Sequence, residues 1–193
     1  DTYMPGSVFK MCVASAALEE NLVNDKTSFT CTGSIEVERE ILHCSNREGH
    51  GTQSFVEAIS NSCNPAFVQI GQMLGASKFR QYYQGFGFSD KTGIDLPGEA
   101  DDEFWADGKM GGVDLAVASF GQNFTITPIQ MITACAAVSN GGYVVQPHVV
   151  SKITDSKGNV IKTVDEKIKR QVISDDTSKK MNEYLEYNTE RQG

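Results

Sequence analysis

Tyr3-Met4-Pro5-Gly6-Ser7-Val8-Phe9-Lys10-Met11-Cys12-Val13-Ala14-Ser15-Ala16-Ala17-Leu18 is the stretch on which the fold turns. Residues 8–20 are apolar on nearly every side, which predicts a helix buried all round instead of an amphipathic surface helix. Pro5-Gly6 reads as a turn that delivers Ser7 to the N-terminus of that helix. Lys10 then lies one turn on, on the same face as Ser7. The hydroxyl sits at the positive end of the helix dipole. A free serine is a poor nucleophile and needs a base beside it. Lysine serves as that base only where burial or a neighbouring cation lowers its pKa, and an apolar helix around Lys10 supplies the burial.

Working outward, residues 28–52 read as irregular loop with short strand pieces around Ile35 and Val37. Residues 53–62 carry a helical pattern, Pro65 suits the first turn of a helix running to Met73 or Leu74, and residues 76–84 form a short amphipathic helix. Residues 85–111, rich in Gly, Asp and Pro, predict a long loop, with Trp105 within it as a surface anchor or, the favoured reading, a hydrophobic plug. Val113–Phe120 is a short apolar helix. Thr127-Pro128-Ile129-Gln130 combines an N-cap Thr, a Pro at the first helical position and a Gln three residues after the cap. That helix stops at Asn140-Gly141-Gly142. Tyr143–Ile153 and Val160–Val164, separated by Ser156-Lys157-Gly158-Asn159, predict one β-hairpin near 143–164. Ser174 caps a last helix reaching about Tyr187. The fold class is therefore α+β and predominantly helical, with no internal repeat and no linker that forces a domain boundary. Ser62-Cys63-Asn64 falls between two helical patterns, where a turn would aim both polar side chains into a cleft. The alternative is that Asn64, before Pro65, simply caps a helix.

The chain has 193 residues, 39% hydrophobic and 22% charged, with a net charge of −8. Residues 1–150 hold 8 basic and 17 acidic side chains, and residues 151–193 hold 9 and 8. Nucleic-acid binding needs clustered Lys and Arg, so this balance argues against a nucleic-acid partner. No apolar run approaches the roughly 20 residues of a bilayer span. The chain opens on Asp1 with a motif within seven residues and closes just past a helical pattern. It is expected to be a single partial domain over 1–193, truncated at both ends.

Residues 3–10 resemble the active-site opening of penicillin-binding protein transpeptidase domains. His50-Gly51, Ser60-Asn61-Ser62-Cys63-Asn64-Pro65-Ala66-Phe67, Thr92-Gly93-Ile94-Asp95-Leu96-Pro97-Gly98-Glu99, Ser119-Phe120-Gly121-Gln122 and Thr127-Pro128-Ile129-Gln130-Met131 follow in the order of the class B, cell-division and sporulation type. The resemblance spans about residues 3–187. It implies the helical subdomain of the fold shared by these proteins and serine β-lactamases. It also implies a D-Ala-D-Ala transpeptidase of peptidoglycan synthesis, in which Ser7 is acylated by a stem peptide or a β-lactam and Lys10 takes its proton. Ser62 then relays a proton to the leaving amine, and Asn64 binds substrate or the Lys10 side. The implied setting is the outer face of a bacterial cytoplasmic membrane, with an anchor outside this chain and cell-wall assembly proteins as partners. No cofactor and no metal are implied. Two alternatives stay open: a non-catalytic β-lactam sensor, and a Ser-x-x-Lys carboxypeptidase or β-lactamase on the same scaffold.

The family's third motif, Lys-Thr-Gly on an edge strand, is expected after the last helix. Lys91-Thr92-Gly93 has the spelling but sits in a Gly/Asp/Pro loop and reads as a decoy. Without that strand's oxyanion donor, worth roughly 3–4 kcal/mol, the 193 residues alone are expected to be inactive or nearly so. Of the five cysteines, Cys12 and Cys135 read as buried thiols within helices that behave as small hydrophobes. In the oxidising setting that the family implies, Cys44 and Cys63 form a candidate redox pair beside the site, with a Cys31–Cys44 staple or fully reduced thiols as alternatives. Cys31, His43, Cys44 and His50 lack the short Cys-x-x-Cys-like spacing of structural zinc sites, so zinc is not expected there. His148 is expected to be structural.

Overall fold

The computed structural model describes residues 1–192, with side chains through residue 189. A 3₁₀ turn, Gly6–Phe9, runs into helix α1, Lys10–Glu19, whose residues from Cys12 to Leu18 are all buried. Its composition explains its position. Ala14, Ala16 and Ala17 carry almost no side chain, so flanking helices approach closely, while Val13 and Leu18 fill the gaps. Helices α2 (Phe55–Ser60), α3 (Asn64–Gly85), α5 (Pro128–Ser139) and α6 (Asp175–Gln192) all pack against it, and α4 (Gly112–Ala118) packs on α3.

Helix starts follow the capping chemistry. Thr127 accepts the backbone N–H of Gln130, and the Gln130 side chain accepts the N–H of Thr127 in return. Ser54 and Glu57 make the same reciprocal pair at α2. The two helical patterns expected within 65–84 form one long element broken at Gly75, where φ is +74°. Phe9 anchors the far end of the core, with ring centroids 4.9 Å from Phe124 and 5.3 Å from Phe88. Burying one such ring contributes about 1.5–3 kcal/mol. The 85–111 loop is fixed by Arg80, which donates to the Trp105 and Ala106 carbonyls, and by Tyr83, which donates to Asp102. Trp105 packs half-buried against Phe104 and Phe124, as a plug would.

The β structure departs from the sequence expectation in two places. Residues 28–54 hold four ordered strands: β1 (Ser28–Cys31) pairs antiparallel with β4 (Gly51–Ser54), and β2 (Ser34–Val37) with β3 (Glu40–His43). The hairpin near 143–164 is shorter than expected, comprising β6 (Lys152–Thr154) and β7 (Val160–Thr163) only. β5 (Tyr143–Val145) pairs instead with β8 (Ile168–Gln171). The physical reason lies in residues 147–150. Pro147 has no N–H to give a ladder, and the N–H groups of Val149 and Val150 are both taken by the Asp95 carboxylate.

Candidate active site

The turn that presents Ser7 is held from outside. Tyr3 and Ile126 exchange both backbone hydrogen bonds, at 2.9 and 3.0 Å, and the Gly6 N–H donates to Gly121 O at 2.9 Å. Gly121 has φ +83°, and a Cβ there would lie 2.0 Å from Gly6 O. Only glycine fits this approach, which gives Ser119-Phe120-Gly121-Gln122 a mechanical meaning: it is the clamp on the Ser7 turn. Ser7 itself is exposed, while Lys10 is only 4% exposed.

A second bend closes over Lys10. Between α2 and α3, Ser62 adopts φ +49°, a left-handed conformation uncommon for a residue with a Cβ. Cys63 takes the N-cap position of α3 in extended conformation without a capping side-chain bond. Asn64 is therefore not the cap that one reading of the sequence allowed. Its Oδ1 accepts from Lys10 Nζ at 2.7 Å, and its Nδ2 donates to the His43 carbonyl at 3.0 Å. Lys10 Nζ also donates to Ser62 O at 2.6 Å, lies 2.9 Å from Ser62 Oγ and 3.2 Å from Ser7 Oγ, and sits 5.5 Å from the centre of the Phe67 ring. Ser7, Lys10, Ser62 and Asn64, chosen from the sequence, thus meet at one nitrogen.

Burial pushes the Lys10 pKa down to about 8, against a smaller upward pull from Cys44 and Cys63. The contacts also fix what the neutral amine does. It keeps two N–H donors and one lone pair. Ser62 O and Asn64 Oδ1 can only accept, so they take both donors. The lone pair is left for the two hydroxyls, Ser7 Oγ and Ser62 Oγ, each of which carries a proton to give.

Lys91-Thr92-Gly93 lies in a loop, as the decoy reading required. Its Thr92 and Gly93 N–H groups donate to the Glu99 carboxylate, and Lys91 pairs with exposed Asp101. His148 bonds the Val150 carbonyl. Cys12 is buried as expected, whereas Cys135 is only half-buried on α5. All five cysteines are free, so neither a Cys44–Cys63 bond nor a Cys31–Cys44 staple is present. Cys44 and Cys63 are nonetheless close. One ligand atom each from Cys31, Cys44, His50 and Cys63 lies within 4.8 Å of the others. Sequence reasoning grouped Cys31, Cys44 and His50 with His43 in place of Cys63 and so missed this set. His43 is exposed on the β2–β3 pair and contributes only its carbonyl. The Cys44 thiol is held below its ordinary pKa: burial raises it, but N–H groups of Asn46 and Asn64 and the neighbouring thiols outweigh this. Burial pushes Cys63 up to about 12.

A family model described as the penicillin binding protein transpeptidase domain matches residues 1–193. Stage V sporulation protein D of Bacillus subtilis is 42% identical over 187 residues, covering 96% of this chain and 29% of that protein. Peptidoglycan D,D-transpeptidase MrdA of Acinetobacter baumannii is 30% identical over 163 residues, covering 77% of this chain and 24% of its own length. The chain thus spans under a third of either relative. The structure of penicillin-binding protein A from Mycobacterium tuberculosis, solved as a ceftriaxone acyl-enzyme complex, superposes with a TM-score of 0.83 at 26% identity, over 98% of this chain and 43% of that one.

Proposed function

The chain belongs to the penicillin-binding protein transpeptidase family, and from that premise we propose that it carries the acylation centre of a class B D-Ala-D-Ala transpeptidase. Ser7 Oγ attacks the penultimate D-Ala carbonyl of a peptidoglycan stem peptide. The Lys10 lone pair takes the Ser7 proton as the Oγ–C bond forms. Ser62, bonded to the same nitrogen, passes a proton to the departing D-Ala amine as the C–N bond breaks. An amine from a second stem peptide then displaces Ser7 and forms the cross-link. Asn64 holds Lys10 in place and offers the substrate amide a partner. β-Lactams acylate Ser7 by the same attack, with ring opening in place of D-Ala release; the ceftriaxone adduct of the tuberculosis relative supports this.

The observation that carries the reading is the convergence of Ser7 Oγ, Ser62 Oγ and Asn64 Oδ1 on the buried Lys10 Nζ at 2.7–3.2 Å. The names of two relatives, a stage V sporulation protein and a peptidoglycan D,D-transpeptidase, support a role in peptidoglycan cross-linking during sporulation; in this reading the centre works at the outer face of the cytoplasmic membrane, beside cell-wall assembly proteins. Among the described residues no helix is long and apolar enough to cross a membrane. The test is labelling of the full protein that carries this chain with a fluorescent penicillin. A stable adduct on Ser7, absent in Ser7→Ala, is expected. Rapid release would reassign the centre as a β-lactamase. A stable adduct in a protein that never joins stem peptides would make it a sensor, and no adduct would end the acyl-transfer reading.

A further inference from the structure

An open groove of about 360 Å³ begins at Met4, three residues before Ser7, and is walled by Glu103, Trp105, Asn123, Phe124 and Thr125. Its volume falls within the range of small-ligand sites, about 300–1,000 Å³. The groove and the Ser7 turn share one frame. Glu103 and Thr125 exchange both backbone hydrogen bonds, at 3.1 and 3.0 Å, and the next residue, Ile126, makes the corresponding pair with Tyr3. Arg80 holds the outer wall through the Trp105 and Ala106 carbonyls and an ion pair with Asp107 at 3.4 Å. The groove is therefore preformed, and no step of acyl transfer derived above uses it.

The lining matches a sugar better than an apolar side chain. Trp105 is half-buried, and Phe104 and Phe124 meet its ring at 85° and 55°, so neither stacks on the indole. Met4, 58% exposed, adds a soft apolar edge. An aromatic ring suits the apolar C–H face of a hexose, whose hydroxyls need polar partners around it. Those partners are present. Asp101, Asp102 and Asp107 are taken by Lys91, Tyr83 and Arg80, whereas the exposed Glu103 carboxylate has no ion pair or side-chain hydrogen bond among the described residues. Asn123 is exposed at φ +64°. Its carboxamide offers donors and an acceptor together, the complement of an acetamido group. Thr125 Oγ1 is buried in the wall without a hydrogen-bond partner, a cost that a ligand hydroxyl offsets.

We propose that this groove binds the N-acetylated hexosamine that carries the stem peptide, with Trp105 under the sugar ring, Asn123 at the acetamido group and Glu103 at the hydroxyls. The reach agrees. Three residues separate Met4 from Ser7, so their Cα atoms lie at most about 11 Å apart. The four stem residues between the sugar and the attacked carbonyl span up to roughly 14 Å. The sugar thus sits in the groove while the penultimate D-Ala carbonyl meets Ser7 Oγ. Binding energy realised on this remote part of the substrate helps to hold the reacting carbonyl in place. No covalent bond changes in the groove. The identity of the substrate rests on the proposed function, whereas sugar binding itself is read without acylation.

The full protein that carries this chain is offered two donors: a pentapeptide bearing an N-acetylglucosaminyl-N-acetylmuramyl disaccharide, and the same pentapeptide without sugar. The kcat/KM of Ser7 acylation is expected to be at least about tenfold higher with the sugar. Asn123→Gly, which tolerates the left-handed backbone, is expected to cut that preference at least about threefold, and Trp105→Ala to abolish it. Lys109→Ala, on the same loop but outside the groove, keeps it. Should Trp105→Ala fail to fold, Asn123→Gly and Glu103→Gln carry the comparison. Binding of the free disaccharide is read by saturation transfer from protein to its acetamido methyl protons, expected in the parent and weakened at least about threefold in Asn123→Gly. Equal kcat/KM for the two donors, or a sugar preference that every groove variant retains, overturns the site. So does a concentration-dependent dimer, abolished by Trp105→Ala, without any sugar preference: the groove would then belong to a second copy. No acylation of Ser7 by either donor or by penicillin overturns the acyl-transfer reading, while saturation transfer still decides whether the groove holds the sugar.

Discussion

The rate of Ser7 acylation is expected to climb with pH along a single limb centred near 8. The reason is the burial that lowers Lys10 from 10.5 to about 8. Only the neutral amine has a lone pair, and its share is roughly 10% at pH 7, 50% at pH 8 and 90% at pH 9. An ordinary lysine would be neutral to roughly 0.03% at pH 7, so burial raises the competent fraction by a few hundredfold, equivalent to about 3 kcal/mol. The same shift has a cost in stability. Between about pH 8 and 10.5 the unfolded chain still holds the Lys10 proton and the folded one has released it, so stability rises with pH across that window. Below about pH 8 both states are protonated and the penalty of the buried ammonium is present in full. The assay is the second-order rate of fluorescent-penicillin labelling between about pH 6 and 9.5, corrected for spontaneous opening of the lactam. A flat profile, or a rise that shows no bend before about pH 10, would refute Lys10 as the base.

Asn64→Asp places a carboxylate 2.7 Å from Lys10 Nζ. It stabilises the ammonium, so the limb moves up by at least about one unit and labelling at pH 7 falls at least about tenfold, readable in the same profile. Gly121→Ala drives a Cβ to within 2.0 Å of Gly6 O at φ +83°. Chemical denaturation is expected to record a loss of about 2–4 kcal/mol, and the surviving folded protein slower labelling, because the Ser7 turn must shift. Lys91→Ala removes only an exposed ion pair with Asp101, and labelling is expected to stay within about twofold of the parent. A large loss there would restore Lys91-Thr92-Gly93 as a functional motif.

The helices were legible because their ends carry local chemistry. Thr127/Gln130 and Ser174/Thr177 cap where the sequence says they should, and Gly75 breaks α3 between the two patterns. Ser7 and Lys10 were legible for the same reason, being one turn apart on one helix. Ser62 and Asn64 meet Lys10 across more than 50 residues, a distance only chain-order resemblance could bridge. What escaped was register. The 143–153 alternation concealed that Asp95 captures the backbone at Val149 and Val150. Likewise, that Cys63 and not His43 joins Cys31, Cys44 and His50 depends on strand pairing between residues 28 and 54, which no short spacing encodes.

The buried α1 has a further consequence, for the order in which these residues acquire their shape. The helix is enclosed by α2, α3, α5 and α6, all of which follow it in sequence, and Glu19 at its end receives both the N–H and the hydroxyl of Ser174, 155 residues downstream. Closing so long a loop costs entropy before any contact repays it. During synthesis α1 therefore lacks part of its cover until α6 has left the ribosome. Folding is expected to be slow and to favour helpers that shield the nascent α1 segment.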